Sequence, residues 1–256
     1  MSHRELLATA AAVAVALVLA GCDDEDEIAT DRDTLTDPIA DVAALGGYLF
    51  TTNEDRSGHG GSQIDLFKFA PGGFPEGRFG LGLNGMGYLA ACSDGESLYL
   101  QARGTGQLFA VSPVGEIGWT RADPFVGSHA LACGIAWRAD VDSFVVIYRD
   151  PGTTTYTTVQ YGPGFAGESS LPETHELSLF DPATGVRAVT WLDGWLWALG
   201  ADTTGAAVVQ GFAGGVVTRY FTLPDETACG LTAVDGTLVV AYPDRRFEAI
   251  DDEKEP

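Results

Sequence analysis

Cys229–Tyr242 reads CGLTAVDGTLVVAY: a short apolar run, an Asp-Gly pair, then a run rich in β-branched residues. That order predicts two antiparallel strands joined by a tight hairpin. The phrase recurs as VTWLDGWLWALG at Val189–Gly200, AACSDGESLYLQA at Ala90–Ala102 and CGIAWRADVDSFVVIY at Cys133–Tyr148, with a degenerate copy, VAALGGYLFTT, at Val42–Thr52. The second strands begin near Gly46, Gly95, Asp142, Gly194 and Gly236, at intervals of 42 to 52 residues. A period of four short strands is the spacing of a β-propeller blade. The fold class is therefore all-β: a five-bladed propeller of four-stranded antiparallel blades, with a six-bladed or incompletely closed ring as the alternatives. The 33 glycines and 12 prolines cut the chain into short segments, and no amphipathic helical window follows the first 21 residues.

Strands can be assigned blade by blade. The second blade reads Tyr88–Cys92, Ser97–Ala102, Gln107–Ser112 and Glu116–Thr120. The fourth reads Val186–Leu192, Trp195–Leu199, Ala206–Phe212 and Val216–Leu223. The third reads Gly134–Trp137, Phe144–Tyr148, Thr155–Tyr161 and an outer strand near Glu176–Phe180. Third strands end in Ala-Pro-Gly-Gly, Ser-Pro-Val-Gly or Phe-Ala-Gly-Gly, turn sequences repeated at one place in the unit. The fifth copy stops after Cys229–Val234, Thr237–Tyr242 and Arg246–Ile250. A ring one strand short leaves an open edge, and Ile28–Leu35 is the segment expected to supply the missing outer strand.

The chain begins MSHRELLATAAAVAVALVLAGC, with an apolar stretch at Leu6–Ala20 broken only by Thr9. That length suits a secretory signal and is short for a membrane span. Leu19-Ala20-Gly21-Cys22 resembles the lipobox of bacterial lipoproteins. The resemblance implies cleavage before Cys22, lipid on its thiol and new amino group, and a place in the bacterial cell envelope on the extracytoplasmic side of a membrane. The organisation expected is a signal peptide over 1–21, an acidic disordered tether over 22–37 and a propeller domain over 38–256. The tether opens with Asp23-Asp24-Glu25-Asp26-Glu27 and holds too little apolar surface to offset its ordering entropy.

The net charge is −22. With Lys68 and Lys254 as its two lysines, the chain offers neither a basic stripe for nucleic acid nor a polybasic patch for anionic lipid. Cys92, Cys133 and Cys229 remain if Cys22 is lipidated. An odd set in an oxidising compartment is met most simply by one disulfide and one buried thiol, with small apolar plugs at Cys133 and Cys229 as the other reading. No C-x-x-C spacing occurs, so neither a zinc ribbon nor a thioredoxin-like motif is present.

Inner strands of a propeller start at one face, and the loops between second and third strands reach that same face. His129 and Arg187, near inner-strand starts, and Asn53, Asp55 and His59, in the loop Asn53–Gly61, are the candidate ligand-binding residues. Asn, Glu and Asp beside glycines suit a hard cation such as Ca²⁺, but the loop lacks the spaced carboxylates of an EF-hand; no cofactor is otherwise implied. There is no G-x-S-x-G elbow, H-E-x-x-H helix or Gly-rich phosphate loop, and no catalytic residue is assigned. The pattern over Ile39–Ile250 resembles small propellers of the NHL, kelch and gluconolactonase kinds. The last of these would imply a divalent metal held by Glu, Asn and Asp at inner-strand ends, whereas the corresponding positions here hold Met86, His129, Arg187 and Cys229. The function expected is a lipid-anchored binding or interaction module for a protein or a cell-envelope glycan, without covalent chemistry. The alternative is a metal-dependent hydrolase or lactonase using the channel face.

Overall fold

The structure, a computed structural model, describes residues 39–53, 63–84, 89–102, 106–123, 131–149, 156–165, 173–175, 180, 185–213 and 216–250. These belong to the compact unit Asp37–Pro256. Ile28–Leu35, expected as an outer strand, lies outside the described residues.

Five antiparallel sheets follow one another along the chain. Blade 1 comprises β1 (Ile39–Leu45), β2 (Tyr48–Asn53), β3 (Gln63–Ala70) and β4 (Phe74–Asn84). Blade 2 comprises β5 (Leu89–Ser93), β6 (Leu98–Ala102), β7 (Gln107–Val111) and β8 (Ile117–Ala122). Blade 3 comprises β9 (Leu131–Arg138), β10 (Ser143–Arg149), β11 (Tyr156–Tyr161) and β12 (Glu173–His175). Blade 4 comprises β13 (Val186–Leu192), β14 (Trp195–Ala201), β15 (Ala207–Ala213) and β16 (Val216–Thr222). Blade 5 comprises, among the described residues, β17 (Gly230–Val234), β18 (Thr237–Ala241) and β19 (Phe247–Ala249). Each inner strand packs against the next, and β17 returns to β1. The ring is a closed five-bladed propeller.

The opening phrase folds as its residues require. Asp235 and Gly236 both take positive φ, 48° and 79°, and join Val234 to its partner Thr237. Asp193 and Gly194 repeat this at 51° and 80°. Two left-handed residues match the right-handed strand twist, and Asp and Gly tolerate that region best.

Blades are held by apolar seams. Phe50, Leu66, Leu98, Leu100 and Phe109 fill the seam of blades 1 and 2; Ile135, Phe144, Val146, Tyr148 and Tyr161 belong to that of blades 2 and 3. Such side chains each contribute about 1.5–3 kcal/mol on burial. Between blades 5 and 1 the buried set shrinks to Ile39, Val42 and Ala241, helped by half-buried Leu49, Cys229 and Phe247. The Phe69 and Phe247 rings meet there edge to face, 5.2 Å between centroids.

The repeated Cys-Gly dipeptide owes its place to its glycine. A methyl on Gly134 would stand 2.7 Å from the Val189 side chain, and one on Gly230 would stand 3.0 Å from the Val42 nitrogen. Neighbouring inner strands approach too closely at these points for a Cβ. Cys92, Cys133 and Cys229 are not joined in disulfides, so the disulfide expected from their odd number does not form. The outer strand of blade 3 also differs from expectation. Glu173–His175 pairs with β11, while Phe180 is buried and bridges Asp202 of blade 4.

Candidate functional site

The starts of β1, β5, β9, β13 and β17 and the ends of β2, β6, β10, β14 and β18 share one face, as the register shows: Ile39 pairs with Asn53, Leu89 with Ala102, Leu131 with Arg149 and Gly230 with Ala241. Asn53 and Arg187 therefore both stand at that face. Asn53 is buried at the end of β2. Arg187, at the second position of β13, donates through Nη1 to the carbonyls of Glu226 (2.7 Å) and Ala228 (2.8 Å). It thereby clamps blade 4 to the segment that leads into β17. Cys22, Asp55, His59 and His129 lie outside the described residues.

Two carboxylates near this face join blades, and sequence reading had marked neither. Asp41 in β1 is fully buried; its Oδ1 accepts the Val42 N–H at 2.8 Å and its Oδ2 the Ala91 N–H at 3.1 Å. A side chain of blade 1 thus bonds the inner strand of blade 2. Asp123, directly after β8, accepts Gln101 Nε2–H at 2.8 Å, the Tyr161 hydroxyl at 3.2 Å and the Tyr148 hydroxyl. The two tyrosine oxygens are themselves 2.8 Å apart. Burial first, and then the Asp123 charge, push the Tyr148 hydroxyl far above its ordinary range, so it remains a donor. Burial likewise raises the Cys92 thiol, with Asp41 and Asp94 adding to it, which disfavours the nucleophilic thiolate. No group of three or more His, Cys, Asp or Glu side chains able to hold a metal ion occurs among the described residues.

Concave surface lies on both sides of blade 5. Toward blade 4, a cleft of ≈ 460 Å³ is lined by Trp195, Trp197, Arg219, Phe221, Leu238 and Ile250, among others. Trp195 and Trp197 are stacked at 5.9 Å, Phe221 lies 5.8 Å from Trp197, and the Arg219 guanidinium sits 5.1 Å from the Trp195 ring. Toward blade 1, a cleft of ≈ 500 Å³ is lined by Tyr48, Leu49, Gly73, Arg245, Phe247 and Ala249, with others. Trp197 is core, while half-buried Trp195 forms part of a cleft wall.

Exposed loops near blade 5 are tied by aspartates. Asp225 Oδ1 accepts the Thr227 hydroxyl at 2.6 Å and its N–H at 2.9 Å, and Oδ2 pairs with Arg246. The Thr227 bonds foremost, and then Arg246, hold the Asp225 carboxyl below its ordinary 3.8. A depressed carboxyl pKa gives stability that is present above the unfolded value and lost as pH falls through the folded one. The stability difference between wild type and Asp225→Asn, measured by urea unfolding, is therefore expected to be constant from pH 7 down to about pH 5 and to shrink below pH 4. A difference that stays the same down to pH 2 would show that the charge on Asp225 is irrelevant to this loop.

No helix among the described residues is long and apolar enough to cross a membrane. Compared with known protein families and with curated proteins, the sequence matches none. Among solved structures, the chain is similar to a streptogramin B lyase at 13% identity and TM-score 0.45, covering 86% of this chain and 67% of that one. It is also similar to BamB from Moraxella catarrhalis at 10% identity and TM-score 0.37, covering 86% and 85% of the two chains.

Proposed function

We propose that the chain is a lipid-anchored, extracytoplasmic binding module that recognises a protein or a cell-envelope glycan without covalent chemistry. One observation carries the reading: a closed ring, internally cross-braced, keeps two clefts of ≈ 460 and ≈ 500 Å³ on either side of blade 5. Asp41, Asp123 and Arg187 are engaged in holding strands and blades together, which suits a rigid scaffold. This reading gives the channel face a second recognition surface, for which the sequence offers Asn53, Asp55, His59, His129 and Arg187 as candidate residues. Rigid presentation lowers the ordering cost of binding, and the fold itself fixes no chemistry.

The anchor is read from the lipobox-like Leu19-Ala20-Gly21-Cys22. Mass spectrometry of the mature protein is expected to show acyl mass on residue 22, and Cys22→Ser should leave an uncleaved or freely released product. An unmodified Cys22 in the wild type would remove the anchor from this reading. For binding, photo-crosslinking residues placed at Thr237, on the rim of the first cleft, and at the exposed Phe74 should capture a discrete partner in intact cells. Absence of any adduct, together with metal-dependent turnover of lactone or ester substrates by the purified chain, would replace the binding reading with the hydrolase one.

A further inference from the structure

Opposite the face where the inner strands start, the blades end in tight turns, which join first to second strands and third to fourth. Among the described residues, blades 1, 2 and 4 each show both kinds of turn, and blades 3 and 5 show the first. Six large apolar side chains stand exposed among the described residues, and five of them are in or beside these turns. They are Phe74, Val114, Ile117, Val141 and Val216, from 39% to 70% exposed; the sixth is Tyr220, within β16. The tryptophans follow the same distribution. Trp119, Trp137, Trp191 and Trp195 are half-buried and lie within two residues of the hairpin end of their strands. Single apolar residues scattered over a surface are ordinary, whereas a collection on one face marks a contact, and tryptophan is enriched where such contacts carry most energy.

The same turns are acidic. Glu96, Glu116, Asp140, Asp142, Asp193 and Asp235 are exposed in them. Arg138 is their one Lys or Arg, and its guanidinium lies 2.8 Å from Asp140. Nearby cations are engaged with rings: Lys68 is 3.7 Å from the centre of the Tyr48 ring, Arg138 4.2 Å from that of Trp191, and Arg121 5.0 Å from that of Trp119. Such a face repels an acidic occupant and attracts a basic one. The chain's own terminal segments carry the wrong sign for it. Residues 22–37 hold eight Asp or Glu against Arg32, and residues 251–256 hold four against Lys254. An anionic lipid surface would meet the same repulsion.

We propose that this hairpin face docks a partner protein whose contact surface is basic and offers apolar hollows to Phe74, Val114, Val141 and Val216. The apolar tips gain from leaving water, while the carboxylates around them steer the partner and set its orientation. The turns are held in fixed shapes: Asp142, Asp193 and Asp235 take positive φ, and Asp94 accepts the Glu96 and Ser97 N–H groups at 2.8 Å each. A face built of such turns has little freedom to lose on docking.

The proposal rests on the binding reading and names the face and the partner's chemistry. The probe is p-benzoylphenylalanine, placed singly at Val114, Val141 and Val216 of the full-length chain. A fourth position, the exposed Thr203 in the channel-face loop after β14, provides the contrast. Irradiation of intact cells should give one shared adduct from the three hairpin positions, linked to a Lys- and Arg-rich surface of the partner. Read from the Val216 probe, Glu96→Lys/Glu116→Lys should cut the adduct yield about tenfold. Its melting temperature should not change, since both side chains are exposed. Phe74→Ser should cut the yield about threefold or more. Asp244→Lys, in the channel-face loop before β19, should leave it within about twofold. Adducts from Thr203 alone, or a yield indifferent to the two glutamates, overturn the proposal and leave the binding reading standing. A link to residues 22–37 or 251–256 of the same chain, to a second copy or to lipid assigns the face elsewhere and equally overturns it. Absence of adducts at every position ends both readings.

Discussion

Replacing Asp123 with Ala is expected to lower stability by about 3–5 kcal/mol, because three buried donors lose one shared acceptor. At about 2–4 °C per kcal/mol for a domain of this size, the melting temperature should fall by roughly 6–20 °C. Gln101 Nε2, Tyr148 Oη and Tyr161 Oη all converge on this carboxylate, and Gln101, Tyr148 and Tyr161 are fully or almost fully buried. Water cannot reach them without opening the seam of blades 2 and 3. Tyr148→Phe alone should cost less, about 1–3 kcal/mol, since Asp123 keeps its other donors. The double variant should be far from additive, because its members share one network. Urea unfolding of the two single variants and the double closes the cycle. Additive losses, or an Asp123→Ala variant as stable as wild type, would show that the cluster does not tie the blades.

This network also marks where sequence reading stops. Asp123 stands before Pro124 at the border of two repeats, and its tyrosine partners are 25 and 38 residues away. Nothing local distinguishes it from a loop aspartate. Local chemistry did reveal what local chemistry decides. Val186–Leu192 was read to the residue because its alternation and the following Asp193-Gly194 turn both act within one hairpin. Strand β4 was not read, since Phe74–Asn84 holds Pro75, Gly77, Gly80 and Gly82 and forms because the preceding turn folds it onto β3. The segment Glu176–Phe180 alternates like a strand, yet Phe180 is claimed by blade 4. Its ring lies where a methyl on Gly200 would come within 2.3 Å. The Cys-Gly repeat drew attention to the sulfurs, while the close approach of neighbouring inner strands selects the glycines. Five blades followed from a period and the closure of the ring from packing, whereas the clefts beside blade 5 depend on side chains that blades 4, 5 and 1 bring together.

Trp197→Ala is expected to cost about 3–5 kcal/mol, the range for deleting a large aromatic from a packed interior. Trp197 is 4% exposed and packs in the seam of blades 4 and 5 with Leu199, Val209, Leu231, Leu238 and Val240. Its ring lies over Gly211, where a methyl would come within 2.9 Å of it, so the surrounding strands have little room to collapse into the space left behind. The indole Nε1–H has no hydrogen-bond partner among the described residues. Its loss therefore forfeits packing rather than a bond, and Trp197→Phe should recover most of the stability, costing about 1–2 kcal/mol. Trp195→Ala, at the half-buried end of the same stack, should cost about 1 kcal/mol or less while opening the cleft wall beneath Arg219. The three variants thus separate the core from the cleft: stability follows residue 197, and partner crosslinking from Thr237 in the same cleft follows residue 195. Equal destabilisation by Trp195→Ala and Trp197→Ala would place both rings in the core and remove the aromatic wall from the binding surface.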